Sequence, residues 1–318
     1  MIGHPVVRAW YARHNAPEGR PPLGDDSVQH LLTQIAPGSP LTDLGGEDSL
    51  NIRLDTAGLV LRVHKPPMTK RRLDAEHQLR IALAAQGLLV PTTVDWNGRS
   101  SFRCGTRWAE LEHYLALRWA PAGDVTNRWL FTAIGHLHKA LSKVATPLPR
   151  PLTRSWATPI TLRRWLDVNV AAGVESLQDP AVVDDVAQLI RQLRRRWIPA
   201  ARLPSQLIHG DLHQGNIMQD AHGDAVYLDL TGIAHGPRIH DLAYAIANLS
   251  FWSSLEWTQV PLLIQAYEEG AGWRLSSLER EALPAYIAAV PLYIDICDWS
   301  DQPRRSTARW LLGHDLSI

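Results

Sequence analysis

The chain has little cysteine, little lysine and no long apolar run, and each shortage removes a class of protein. Only Cys104 and Cys297 occur in 318 residues, so a disulfide framework is excluded and no metal-ligand spacing of cysteines exists. A reducing cytoplasm is the expected compartment. No stretch of about 18 apolar residues is present, and the N-terminal M-I-G-H-P-V-V-R-A-W-Y-A-R-H has no continuous apolar region. Neither export nor a membrane partner is expected. Lys+Arg and Asp+Glu both number 32, for a net charge of zero, so no overall positive field gathers nucleic acid. Any anion site must be local. What is present is an ordinary globular balance, 45% hydrophobic and 20% charged, which supplies a packed interior. The length favours two lobes or domains over one small core.

The first half reads as a sheet with helices. Asp25 to Ile35 places apolar residues at helical spacing behind an acidic N-cap, and Pro37 and Gly38 end it. From Leu41 the period changes to alternation, with L-T-D-L, L-N-I-R-L-D-T and L-V-L-R-V-H predicting three consecutive antiparallel strands. Gly45, Gly46 and Ser49 fall in the first turn, where missing side chains and exposed N–H groups let a phosphate approach the backbone. A simple structural turn is the bland alternative. Arg62 lies on the third strand. The helix that follows, ended by Gly87, carries Glu76 on its apolar side. A strand cation fixed by a helix carboxylate can hold phosphates with its other donors. Arg62 and Glu76 are the expected pair, with Lys65 as the fallback cation. Two more strands, V-P-T-T-V-D-W and, beyond the W-N-G-R turn, S-F-R-C-G running on into A-E-L-E-H-Y-L-A-L-R-W, complete a five-stranded sheet by Trp119. Arg118, Trp119 and Ala120 would offer backbone N–H and C=O groups to an adenine edge.

A break at A-P-A-G divides the chain into a nucleotide-binding lobe over 1–119 and a mainly helical lobe over 120–318. Helices are expected from about Val125, over 161–172, over 180–197, and repeatedly after Asp241, with a loop over 146–159. His136 and His138 read as packing and surface residues. Trp252, Trp257, Trp273 and Trp299, with Asp295 and Asp298, concentrate aromatic and acidic character where an acceptor pocket would lie.

The chemistry concentrates between Leu207 and Ala243. Asp211 and Asn216 stand five residues apart in H-G-D-L-H-Q-G-N, and the apolar A-V-Y-L delivers Asp229. One carboxylate can orient an attacking hydroxyl. The amide oxygen and the second carboxylate can hold a divalent cation against nucleotide phosphates.

The string His209-Gly210-Asp211-Leu212-His213-Gln214-Gly215-Asn216, Asp229 at a strand end and Asp241-Leu242-Ala243 together resemble the aminoglycoside phosphotransferase and choline kinase-like family. The resemblance implies an α+β, bilobal protein-kinase-like fold and an ATP-dependent kinase of a small-molecule hydroxyl, with GTP as the alternative nucleotide. It implies Asp211 as catalytic base or orienter, Asn216 and Asp229 as Mg2+ ligands, His209 as shaper of the catalytic loop and Asp241 as its brace. His213 occupies a position where many protein kinases carry lysine, so it becomes a candidate phosphate contact with pH sensitivity. Only eleven residues separate Asp229 from Asp241, too few for a peptide-docking segment, which argues for a small acceptor. An antibiotic or secondary metabolite is favoured, with homoserine-, choline- or sugar-type acceptors as the alternative. Monomer and homodimer both stay open.

Overall fold

The computed structural model describes residues 20–46, 49–66, 68–120, 123–145, 148, 180–252, 255–298, 309, 311 and 313. The helix expected over 161–172 and nearly all of the 146–159 loop lie outside them. So do Trp299 and the side chains of Trp252, Asp295 and Asp298.

Helix α1 spans Asp26–Ile35, and the Asp25 carboxylate accepts from the Ser27 and Val28 N–H groups at its start, which satisfies two otherwise orphaned donors. Strands β1 (Leu41–Asp43), β2 (Leu50–Leu54) and β3 (Leu59–Val63) follow as an antiparallel meander. Helix α2 (Lys70–Ala84) begins at Thr69, whose hydroxyl accepts from the Arg72 N–H. Then come β4 (Thr93–Val94), β5 (Phe102–Cys104) and β6 (Arg107–His113). The sheet order is β1-β2-β3-β6-β4, with β5 pairing the other end of β6. The sheet therefore has six strands, not five. Gly105, at φ 58°, turns the chain inside the stretch read as continuous, so β5 and β6 form their own hairpin.

Alternation along the strands sorts the two faces of this sheet. Leu50, Ile52, Leu54, Leu61, Val63, Phe102, Ala109 and Leu111 join Val28, Leu31 and Leu32 of α1 in one apolar cluster. Each fully buried side chain of this kind stabilises by about 1.5–3 kcal/mol. The intervening residues Arg62, Glu110 and Glu112 belong to the opposite set. Arg62 and Glu110 are direct cross-strand partners. There α2 packs a charged face: Glu110, fully buried, accepts from His64 Nε2 at 2.8 Å, His77 Nε2 at 2.7 Å and the Arg80 guanidinium at 3.0 and 3.1 Å. Arg80 also donates to Glu112 at 2.6 Å.

The second half is mainly helical. Helices α3 (Asp124–Leu141), α4 (Pro180–Arg196), α5 (Ile239–Trp252), α6 (Val260–Ala271) and α7 (Ser277–Asp298) surround two short hairpin-like pairs. Strand β7 (Ser205–Ile208) pairs with β10 (Ala234–Pro237), and β8 (Ile217–Gln219) with β9 (Ala225–Tyr227). The loop 209–216 is thus slung between β7 and β8, and 228–233 between β9 and β10. Helices α3 and α6 meet backbone to backbone: a Cβ at Gly135 would stand 2.4 Å from the Tyr267 carbonyl oxygen, and one at Gly270 2.2 Å from that of Thr132. Only glycine permits that approach. Among the described residues no helix is long and apolar enough to cross a membrane.

Candidate active site

Asp241 enters on the first turn of α5 and is fully buried. Its Oδ2 accepts the His209 N–H at 2.7 Å and its Oδ1 the Gly210 N–H at 2.9 Å. Gly210 sits at φ 82°, a left-handed conformation that turns its N–H toward this carboxylate. His138 of α3 approaches Oδ2 through Nε2 at 2.9 Å, and its Nδ1 meets the Tyr267 hydroxyl at 3.0 Å. Because an ionised carboxylate only accepts, Nε2 carries a proton toward it. Burial would raise the Asp241 pKa, but the His138 bond and neighbouring imidazoles outweigh it and hold the group below its ordinary range. His138, read from sequence as a packing residue, is therefore the far end of a buried Tyr267–His138–Asp241 chain that fixes the loop.

Within that loop His209 also serves the backbone. Its Nε2 donates to the Leu228 carbonyl at 2.8 Å, and Nδ1 accepts the Asp211 N–H at 3.3 Å. This ties the loop to the strand that carries Asp229. Asn216 donates through Nδ2 to the Asp211 carbonyl at 2.8 Å, which leaves its amide oxygen for a cation. Asp229 lies at φ 48°, a conformation uncommon outside glycine. Its Oδ1 receives the Thr231 hydroxyl at 2.6 Å and Arg62 Nη2 at 3.3 Å.

The two aspartates titrate in opposite directions. Burial pushes Asp211 up to about 6, reinforced by Asp229 and Asp241 and opposed by His209 and a hydrogen bond from Tyr244. Burial also acts on Asp229, yet the Arg62 charge, the Thr231 hydroxyl and His209 bring it down to about 2. One carboxylate is poised to take a proton while the other stays charged. Asn216 and Asp229 offer hard oxygen donors, the kind that Mg2+ takes together with phosphate oxygens, so the residues present fit such an ion.

Other expected residues fall differently. Glu76 is buried, but it accepts from Arg72 Nε at 2.6 Å and not from Arg62, whose carboxylate partner is Asp229. The expected Arg62–Glu76 pair is not formed, because Arg72, one helical turn before Glu76, reaches that carboxylate first. Lys65, the fallback cation, lies on the loop after β3. Gly45 donates its N–H to Asp43 Oδ1 at 2.8 Å, and its carbonyl accepts from Asn51 at 2.9 Å. Gly46 beside it is exposed, and Ser49 is buried. Arg118 exchanges both backbone bonds with Gln219, at 2.9 and 3.0 Å, so its N–H and C=O are not available to an adenine edge. Trp119 follows directly, is 63% exposed and sets its ring edge against Gly215 of the loop; Ala120 comes next, partly buried. His213 accepts the Gly215 N–H on Nδ1 at 3.0 Å and meets Tyr244 edge-on at 6.3 Å.

Comparison with known proteins agrees with this arrangement. The profile of the phosphotransferase enzyme family matches residues 41–282. No curated protein matches in sequence. Among solved structures, the chain is similar to amicoumacin kinase in complex with AMP-PNP, Ca2+ and Ami, at TM-score 0.66 and 13% identity over 97% of this chain and 95% of that one. A microcompartment-associated aminopropanol kinase gives TM-score 0.66 and 16% identity over 92% and 95%. A choline/ethanolamine kinase family protein from Mesorhizobium loti gives TM-score 0.55 and 16% identity over 98% and 93%. These likenesses establish the protein-kinase-like fold, with its antiparallel sheet first and its helices after.

Proposed function

Because the chain belongs to the phosphotransferase enzyme family and is a kinase, we propose that it moves the terminal phosphoryl group of ATP to a hydroxyl of a small molecule, with Mg2+ as the divalent ion. The observation that carries this is the opposed pair of aspartates on one braced loop system: Asp211 raised to about 6 and Asp229 lowered to about 2. The acceptor oxygen forms a bond to phosphorus as the bond from phosphorus to the ADP oxygen breaks, and the hydroxyl proton passes to the Asp211 carboxylate. In such transfers positioning and charge neutralisation supply most of the acceleration. Asn216 and Asp229 would hold Mg2+, which neutralises phosphate charge when bound. The segment 1–119 forms the nucleotide side and 120–318 the acceptor side.

For the acceptor we favour an antibiotic or related secondary metabolite. Amicoumacin kinase is one of the similar structures. An amino-alcohol acceptor is the second reading, supported by the equal TM-score of the aminopropanol kinase. The unpaired, buried Cys104 fits a reducing compartment such as the cytoplasm. Release of ADP, measured over a panel of hydroxylated antibiotics and amino alcohols with wild type and D211A, tests the proposal. Equal rates for the two proteins would refute the kinase reading of Asp211, and activity confined to amino alcohols would select the second acceptor class.

A further inference from the structure

Arg72 is among the largest fully buried side chains of the molecule, 1% exposed. Two basic neighbours in sequence, Lys70 and Arg71, are exposed, so burial of this one cation needs a reason. Its Nε donates to Glu76 at 2.6 Å. Its Nη2 lies 3.1 Å from the carbonyl oxygens of both Thr231 and Ile233, and 3.4 Å from that of Leu230. These carbonyls belong to the short 3-10 turn Leu230–Gly232 and the residue after it, and the turn begins on left-handed Asp229. Carbonyls at the end of so short a turn have few partners within it. A planar guanidinium, with five donors in a fixed fork, can gather several of them while a carboxylate neutralises its charge.

We infer that Arg72 is a positioning residue for Asp229: it clasps the turn behind the aspartate to helix α2 and so holds an uncommon backbone conformation in place for metal binding. The inference rests on the reading of Asp229 as a metal ligand. Glu76 then has a role other than anchoring the strand cation, since it balances and aims the clasp. Its second oxygen, Oε2, is buried and has no hydrogen-bond partner among the described residues. Arg62, freed of Glu76, faces Asp229 directly.

The clasp links two parts of the chain that the sheet does not connect. Arg72 and its carbonyl partners are 158 to 161 residues apart in sequence. Movement of α2 would be felt at Asp229 through this side chain. Lysine at position 72 would keep the charge but reach with a single ammonium, which cannot span Glu76 and several carbonyls at once.

The test is titration of a fluorescent ADP analogue into full-length wild type, R72K and R72Q, with and without Mg2+. Affinity without Mg2+ is expected to be unchanged in the variants, whereas the gain in affinity produced by Mg2+ should fall by about 10-fold to 100-fold, the usual effect of losing a group that orients a metal ligand. An unchanged Mg2+ gain overturns the inference. A parallel loss with and without Mg2+ also overturns it, because it marks a general structural role. If wild type shows no Mg2+ gain, the metal reading of Asp229 fails first and the inference falls with it. Hydrogen exchange of folded R72K gives a second readout: uptake should rise in peptides covering 229–237 and stay constant in those covering 217–227. Equal uptake in both would overturn the clasp.

Discussion

Arg62 and Asp229, 167 residues apart in sequence, face one another at 3.3 Å. The guanidinium is largely buried and its Nε has no hydrogen-bond partner among the described residues, so there the cation has one carboxylate and spare donating capacity. A metal held by Asp229 would draw on the same negative charge as Arg62. Nucleotide phosphates arriving with the metal would give Arg62 the additional acceptors it lacks.

Arg62→Gln should therefore weaken nucleotide binding. Loss of a charge-assisted hydrogen bond of about 1.5–3 kcal/mol corresponds to roughly a 10-fold to 100-fold rise in the dissociation constant for ADP with Mg2+. Calorimetric titration reads it. Asp229 would also lose the charge that outweighs its burial, so its pKa should rise from about 2. The folded state is stabilised by an ionised Asp229 above the ordinary value of 3.8, and that contribution fades as pH falls toward 2. In R62Q that contribution should shrink, seen as lower stability than wild type above pH 4 and a smaller loss between pH 4 and pH 2.

Asp211 gives the opposite sign. Its folded pKa of about 6 exceeds the ordinary 3.8, so the native state prefers the protonated form. That preference is complete below 3.8 and is lost as pH rises through 6. Asp211→Asn should accordingly melt at a higher temperature than wild type at pH 8, by an amount worth on the order of 3 kcal/mol at most. The difference should vanish near pH 4. Turnover should drop by about 10²–10⁴-fold, with ADP affinity retained. Wild-type turnover should rise with pH and level off at or below about pH 6, since a bound cation nearby lowers the Asp211 pKa.

Asp241→Asn should damage both fold and loop. The carboxylate is fully buried and serves two backbone N–H groups and His138. An amide offers one acceptor oxygen where two are needed and turns a donor toward another donor. The expected cost is about 3–5 kcal/mol, measured by urea unfolding. His138→Phe, which leaves the Asp241–backbone bonds in place, should cost less.

Glu110→Gln probes the charged face of the sheet. Removing the charge leaves Arg80 with Glu112 alone, while His64 and His77 lose an anionic acceptor. Destabilisation of about 3–5 kcal/mol is expected, without any change in acceptor preference, because the side-chain partners of Glu110 come from α2 and the loop after β3, not from the 209–216 loop. Unfolding curves and a comparison of acceptor KM values decide it.

What could be read from sequence follows the reach of each interaction. Asp211, Asn216 and Asp229 lie within one local stretch whose spacing carries the chemistry, and the first three strands announce themselves by alternation. Arg72 looks like one of three consecutive basic residues at 70–72, and His138 like one of several histidines. Their partners lie 158 and 103 residues away. Periodicity tells which side of a helix faces inward, but not which distant carbonyl or carboxylate waits there. The Arg62–Glu76 expectation failed for the same reason: a competitor four residues from Glu76 was closer than the strand. The missed β5–β6 turn shows another limit, since one glycine at φ 58° divides a stretch whose alternation runs on across it. Arg118 was read as adenine-facing because nothing in its neighbourhood of the chain signals Gln219.

The glycine contact between α3 and α6 has a consequence for inheritance. Gly135 stands one turn before His138 on α3, and Tyr267 stands one turn before Gly270 on α6. The distance between the two backbones thus sets how Tyr267 presents its hydroxyl to His138, and through it where Asp241 hangs the loop. A single added methyl at either glycine would collide with backbone, and it would impair the reaction without altering any group that touches a substrate. These two positions should be as intolerant of drift as the aspartates themselves, while residues that only line an acceptor pocket stay free to diversify.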